Sequence, residues 1–214
     1  MAITVHHLEN SRSQRVLWLL EELGIPYEVR RYERNKTTML APPELRQIHP
    51  LGKSPVIEDT DSDGKTRVIA ETGAIIEYLV DKAGGRLGAP PGREAALRYR
   101  HFLHYAEGSV MPVLLVKLVL GRVPLLGRLA LKKFQPMVDV HTHYIESELI
   151  GRPWFAGEPF TAADVMMSFP LEAARSRAGI SRDTHPRIFK WVDTIHARPA
   201  YQVALAKGGP YAYA

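Results

Sequence analysis

The nine residues 84–92, Gly-Gly-Arg-Leu-Gly-Ala-Pro-Pro-Gly, hold four glycines and two prolines and divide the chain into halves of different character. Glycine and proline at that density punctuate a fold, because one frees φ while the other fixes it and removes a donor. Ahead of this stretch, short β-branched runs alternate with helical stripes; beyond it the strand signals vanish. Such a chain is restricted to an α/β unit joined to an all-α one. At 214 residues, 45% hydrophobic and 24% charged, there is material enough for a buried core.

In the first part, Ile3 to Val5 is short and β-branched. Val16, Leu19, Leu20 and Leu23 then fall at i, i+3, i+4 and i+7, an amphipathic helix stopped by Gly24 and Pro26. Tyr27 to Arg30 alternates as a second strand, Pro42 and Pro43 open a helical turn, and Val56-Ile57, the turn 61–64 and Val68-Ile69 read as a hairpin. Thr72, Ile75, Ile76, Leu79 and Val80 stripe one more helix, ended by Gly84-Gly85. The order β-α-β-α-β-β-α predicts a thioredoxin-like unit over residues 1–83, with 84–92 as linker. Over 93–214 the patterns predict an all-helical domain, with helices at 93–119, 125–150, 162–178, 186–197 and 200–206. Thr161-Ala-Ala-Asp164, just before an apolar run, is a capping box whose Asp164 anchors a buried helix start.

Composition narrows the chemistry. There is no cysteine, which excludes disulfides, a cysteine-based zinc site and a protein thiol nucleophile; any thiol must arrive with a ligand. Twenty-eight Lys and Arg against 23 Asp and Glu give a formal charge of +5, scattered rather than striped and without a reading motif, so no nucleic acid partner is expected. His101 with His104, and His141 with His143, lack the acidic third ligand of a metal motif, and no metal is expected. The start shows no signal peptide, and no uncharged run reaches the roughly 18 residues of a membrane span. These readings predict a cytoplasmic protein with no membrane partner. The basic amphipathic stretch 125–134 is read as a solvated helix face.

Two segments carry the functional signal: Gly52-Lys53-Ser54-Pro55-Val56-Ile57, and Glu71-Thr72-Gly73-Ala74-Ile75-Ile76-Glu77-Tyr78-Leu79. The first brings a proline into a β-run. The second opens a helix with an acid and a hydroxyl, where unpaired N–H groups and the positive dipole end suit a carboxylate. A hydroxyl in that place also suits an N-cap. Together, and in this order before a linker and a helical domain, they resemble the soluble glutathione transferases. The resemblance covers nearly the whole chain and implies that glutathione binds the first domain as co-substrate. A cis Pro55 turns the Ser54 backbone toward the ligand's cysteine residue. Lys53 meets its glycine carboxylate, Thr72 its γ-glutamyl carboxylate and Glu71 its amino group. Family members more often have serine where Thr72 stands.

Catalysis in this family requires a thiolate, and a free thiol with a pKa of about 8.5 is only a few per cent ionised at neutral pH. A donor beside the first helix start meets that need, and Glu9-Asn10-Ser11-Arg12-Ser13-Gln14-Arg15 supplies several. The segment resembles the bacterial serine-type members, in which a serine stands four residues before an arginine, so Ser11 ranks first; Asn10, Arg12 and Ser13 remain rivals, and one serine also suits the helix N-cap. The implied electrophile pocket draws on Arg12, His104, Tyr105 and Met111. The reading is a homodimeric detoxification enzyme that conjugates glutathione to a small hydrophobic electrophile. The alternatives are a glutathione-dependent peroxidase, dehalogenase or isomerase, or a non-catalytic interaction module on the same fold.

Overall fold

The computed structural model describes residues 2–124 and 126–214. The chain forms two compact units, one reaching to Gly88 and including His196–Ala214, the other Ala89–Ile195. In the first, strand β1 (Ala2–Leu8), helix α1 (Ser13–Leu23) and strand β2 (Tyr27–Tyr32) make a parallel pair with a helical crossover. The short helix α2 (Leu45–Ile48) precedes the hairpin of β3 (Val56–Thr60) and β4 (Thr66–Ala70), and α3 (Thr72–Lys82) follows. Asp61 pins the hairpin turn by accepting the N–H groups of Asp63 and Lys65 at 3.1 and 3.0 Å. The mixed sheet runs β2-β1-β3-β4, the thioredoxin-like arrangement that the sequence predicts.

Helix α1 is buried well beyond a single stripe: Val16, Leu17, Trp18, Leu19 and Leu20 are all inaccessible to solvent. A helix lying on a sheet would leave one face wet, and here that face is covered by α9 (Pro199–Gly208). Tyr201 stands edge-on to Trp18 at 5.2 Å, and Arg198 grips the Glu22 carboxylate through Nε at 2.6 Å and Nη2 at 2.9 Å. The sequence reading assigns this last helix to the helical domain 93–214; its packing puts it in the first unit instead.

The second unit holds α4 (Arg93–Tyr105), α5 (Met111–Leu120), α6 (Leu126–Glu148), α7 (Ala162–Arg177) and α8 (Pro186–His196). The single helix expected over 93–119 is therefore two, separated by a π-helical turn at Ala106–Val110. Pro112 has no N–H to return to the preceding turn and its ring crowds that turn's carbonyl, which a wider π turn accommodates. Every α7 residue from Ala162 to Ala174 is buried, Asp164, Ser168 and Glu172 included, which makes α7 the central helix of the unit. Its start is the predicted capping box: the Asp164 carboxylate accepts Thr161 N–H at 2.8 Å, Thr161 Oγ1–H at 3.0 Å and Phe155 N–H at 2.9 Å.

Candidate active site in the first unit

The register of the sheet decides which residues meet at its open end. Val56 pairs with His6 on one side and with Ala70 on the other. Continuing either antiparallel register by two residues sets Ser54 opposite Leu8 and opposite Thr72. The Ser54-Pro55 bond is cis. Ser54 Oγ is committed, donating to the His6 carbonyl at 2.8 Å and accepting Leu8 N–H at 3.3 Å. Among the described residues, neither the N–H nor the C=O of Ser54 pairs with another backbone group. An extended peptide laid beside Ser54 would meet an open donor and acceptor. The neighbouring Lys53 is exposed.

The head of α3 is the second component. Glu71, not Thr72, holds the N-cap position, and neither side chain caps the helix, so the N-cap reading of the Thr72 hydroxyl is set aside. Ile75 is the first amide to find a helical partner, the Glu71 carbonyl at 2.9 Å. The amides ahead of it form a cluster of donors at the positive end of the dipole. Glu71 sits at φ 70°, ψ 123°, a conformation costing a non-glycine residue on the order of 1–3 kcal/mol and one that gathers at binding sites. This turn exposes the Glu71 carboxylate while Thr72 stays buried.

The third component is the loop between β1 and α1. Asn10 takes a left-handed φ of 49°, its Oδ1 accepting Ala212 N–H at 2.7 Å, and Arg34 holds the carbonyls of Glu9 and Asn10 at 3.2 and 3.4 Å. Ser11 Oγ accepts Ser13 N–H at 3.2 Å and lies 2.7 Å from Ser13 Oγ. Ser13 Oγ in turn lies 2.9 Å from His7 Nδ1, and it shares Leu8 N–H with Ser54, tying the two loops together.

His7 is the buried end of this hydroxyl chain. Burial, helped by the positive field of Arg31, lowers the imidazole pKa to about 4, so the ring is neutral at physiological pH. The ring hydrogen-bonds the Gly208 backbone, and a neutral ring has one donor and one acceptor nitrogen. In the tautomer with the proton on Nε2, Nδ1 accepts from Ser13 and Ser13 accepts from Ser11; Ser13 Oγ also reaches the Leu8 carbonyl at 3.3 Å. Sequence reasoning named Ser13 only as a rival and missed His7 and Gly208. Nothing local signals them, since the ring and its carbonyl partner come from opposite ends of the chain. A Cβ at position 208 would stand 2.7 Å from Gln14 Oε1 and 3.0 Å from Leu17 Cδ1, so the ends of those side chains would have to shift.

The structure treats the pocket candidates unequally. Arg12 belongs to the first unit, half-buried beside Ser11. In the second unit, His104 and Tyr105 line an open cleft of about 440 Å³ with Leu97, Arg100, His101, Gly108 and Ser109. Met111 is not among those residues; at 3% exposure it belongs to the helical core. Tyr105 Oη lies 2.6 Å from His141 Nδ1, and burial raises its own pKa, so it is a neutral hydroxyl. His101 meets Tyr144 Oη at 3.1 Å, so one member of each histidine pair finds a tyrosine partner.

Comparison with known proteins identifies the family. Residues 11–82 match the glutathione S-transferase N-terminal domain and residues 130–199 the C-terminal domain. The chain is 36% identical to glutathione S-transferase 3 of Schizosaccharomyces pombe over 219 residues, covering 96% of this chain and 87% of that one. It is 32% identical to glutathione S-transferase 1 of Saccharomyces cerevisiae, covering 96% and 94%. A solved glutathione S-transferase from Actinobacillus pleuropneumoniae superposes with a TM-score of 0.87 at 34% identity, covering 99% and 95%. Fold, family models and full-length similarity agree, and the chain belongs to the glutathione S-transferase family.

Proposed function

We propose that this protein is a serine-type glutathione transferase that conjugates the glutathione thiolate to a small hydrophobic electrophile. The observation that carries the reading is the convergence of Ser54, Thr72 and the Ser11–Ser13 loop at one end of the sheet, fixed by β-register and by a Leu8 N–H shared between two hydroxyls. Glutathione lies with its γ-glutamyl carboxylate on the amides of α3 and the Thr72 hydroxyl, and its amino group at Glu71. Its cysteine backbone pairs with Ser54, and its glycine carboxylate meets Lys53.

Ser11 is the catalytic residue, donating its proton to the sulfur. One hydrogen bond to a charged group is worth roughly 1.5–3 kcal/mol, and a pKa unit about 1.4 kcal/mol. That single donor therefore lowers the thiol pKa by about one to two units. Ser11 is preferred to Ser13 because Ser13 Oγ already meets His7 Nδ1, the Leu8 carbonyl and the Leu8 N–H. In the second unit, the cleft lined by His104 and Tyr105 takes the electrophile; in the first, Arg12 beside Ser11 is the remaining candidate. The working form is a cytoplasmic homodimer acting in detoxification.

Calorimetric titration with glutathione, followed by a turnover panel of aryl halides, epoxides, isothiocyanates and organic hydroperoxides, tests the reading. Binding together with conjugation of one of the first three classes is expected. Absence of binding refutes the site, and turnover of hydroperoxides alone replaces conjugation with peroxide reduction.

A further inference from the structure

A second surface stands out in the helical unit. Between Glu107 and Asp139 the sequence has no acidic residue but five cations, Lys117, Arg122, Arg128, Lys132 and Lys133, which equal the formal net charge of +5 of the whole chain. The structure folds this segment into α5, a turn and the first turns of α6. Lys117 is tied down, donating to Gln135 Oε1 at 2.5 Å and to the Ala178 carbonyl at 2.9 Å. The other four cations are exposed and have no acidic partner among the described residues.

The same hairpin leaves aliphatic side chains in water. Leu126 is 70% exposed, Leu129 65%, Val119 53% and Leu115 49%, with Val116 and Val123 also exposed. The solvated helix face expected at 125–134, of which Leu125 lies outside the described residues, is solvated over Arg128, Lys132 and Lys133, but Leu126 and Leu129 are in water with them. Contiguous exposed apolar surface rimmed by charge marks an interaction site. The run Arg93–Leu120 has the length and composition of a membrane span and only 28% of its apolar window is buried, but its helix is interrupted by the π turn and it packs against α6 and α7. It is an element of a folded helical unit with one face left open.

We propose that the α5–α6 hairpin docks on an anionic lipid surface, inserting Leu126, Leu129 and Val119 among the headgroups while Arg122, Arg128, Lys132 and Lys133 contact lipid phosphates. Charge selects this occupant. A second copy meeting the face through two-fold symmetry would oppose four unpaired cations to the same four, whereas an anionic bilayer neutralises them. The side chains also fit lipid better than a protein hot spot: the apolar ones are aliphatic, the polar ones are Lys and Arg, and neither Trp nor Tyr occurs between Ser109 and Asp139. The contact is peripheral and reversible, so a soluble fold and membrane attachment coexist. The proposal departs from the sequence expectation of no membrane partner.

Flotation of the full-length protein with phosphatidylcholine vesicles, with and without phosphatidylserine, tests the proposal. Binding is expected only to the phosphatidylserine vesicles and should weaken with added salt. Replacing Arg128 and Lys132 by Gln should lower partitioning about fivefold per charge, roughly 25-fold for the pair. Leu126→Asp with Leu129→Asp should abolish it. Both pairs are solvent-exposed, so circular dichroism and the denaturation midpoint should stay unchanged. Three results would overturn the proposal: no binding to anionic vesicles, equal binding to both vesicle types, or an Asp variant that changes the oligomeric mass while vesicle binding persists. Retention on immobilised polyglutamate without vesicle binding would assign the face to an acidic protein instead.

Discussion

Replacing Asp164 by Ala probes the deepest polar contact of the helical unit. Its side chain is fully buried and accepts from Phe155 N–H at 2.9 Å, Thr161 N–H at 2.8 Å and Thr161 Oγ1–H at 3.0 Å. Alanine strands two backbone donors and a hydroxyl where water cannot reach, at about 1–3 kcal/mol each before relaxation. Allowing for partial collapse, the loss is about 3–5 kcal/mol, a large share of the 5–15 kcal/mol that holds a typical protein folded. With a urea slope of about 2 kcal/mol per molar, the midpoint should fall by about 2 M. Trp154 and Trp191 report on the right unit, since Trp191 packs on Phe155 at 5.2 Å and lies 6.3 Å from Trp154. Amide exchange at Phe155 and Thr161 should accelerate in parallel.

The sign of the pH dependence is fixed as well. Burial, the largest influence, pushes the Asp164 carboxyl up to about 7 despite its three hydrogen bonds. A raised folded-state pKa means that its contribution is full below the unfolded carboxylate value and is lost as pH rises through about 7. The stability of the wild type relative to Asp164→Asn should therefore decline between about pH 4 and 7. If Asp164→Ala shifts the midpoint by only a few tenths molar, the burial argument fails.

Further perturbations address the first unit. Thr72→Val keeps the shape and removes the hydroxyl; loss of one charge-assisted hydrogen bond should weaken glutathione binding about 10- to 100-fold by calorimetry. His7 is held neutral with its pKa lowered to about 4, so stability is lost as pH falls from about 6.5 through 4. His7→Asn should flatten that acid limb, followed through Trp18 fluorescence, and an unchanged limb would refute a buried neutral ring.

The sequence reading succeeded where the cause is local and failed where it is tertiary. The Thr161–Asp164 box, the hairpin turn at Asp61 and the strand-helix order depend on neighbours a few residues apart, and periodicity or turn chemistry exposes them. The docking of α9 depends on Arg198 reaching Glu22, and the start of α8 is capped by Glu146 from α6, which accepts the N–H groups of Arg187 and Ile188 at 2.9 Å each. Such pairs, far apart in sequence, leave no trace in a single chain's pattern. At the site, the motifs named Ser54 and Thr72, which the sheet register sets side by side, and the role of these residues toward glutathione is the proposal. The contacts that distinguish Ser11 from Ser13, to the His7 ring and to both backbone groups of Leu8, are tertiary and leave no mark in the sequence.

The central claim is that Ser11 stabilises the glutathione thiolate, and the pKa of the bound thiol tests it most directly, titrated through the ultraviolet absorbance of the thiolate. In the wild type it should lie about one to two units below the free value of about 8.5. Ser11→Ala should return it to that value with glutathione still bound, and Ser13→Ala should leave most of the shift in place. A bound thiol whose pKa is unchanged by Ser11→Ala would contradict the account.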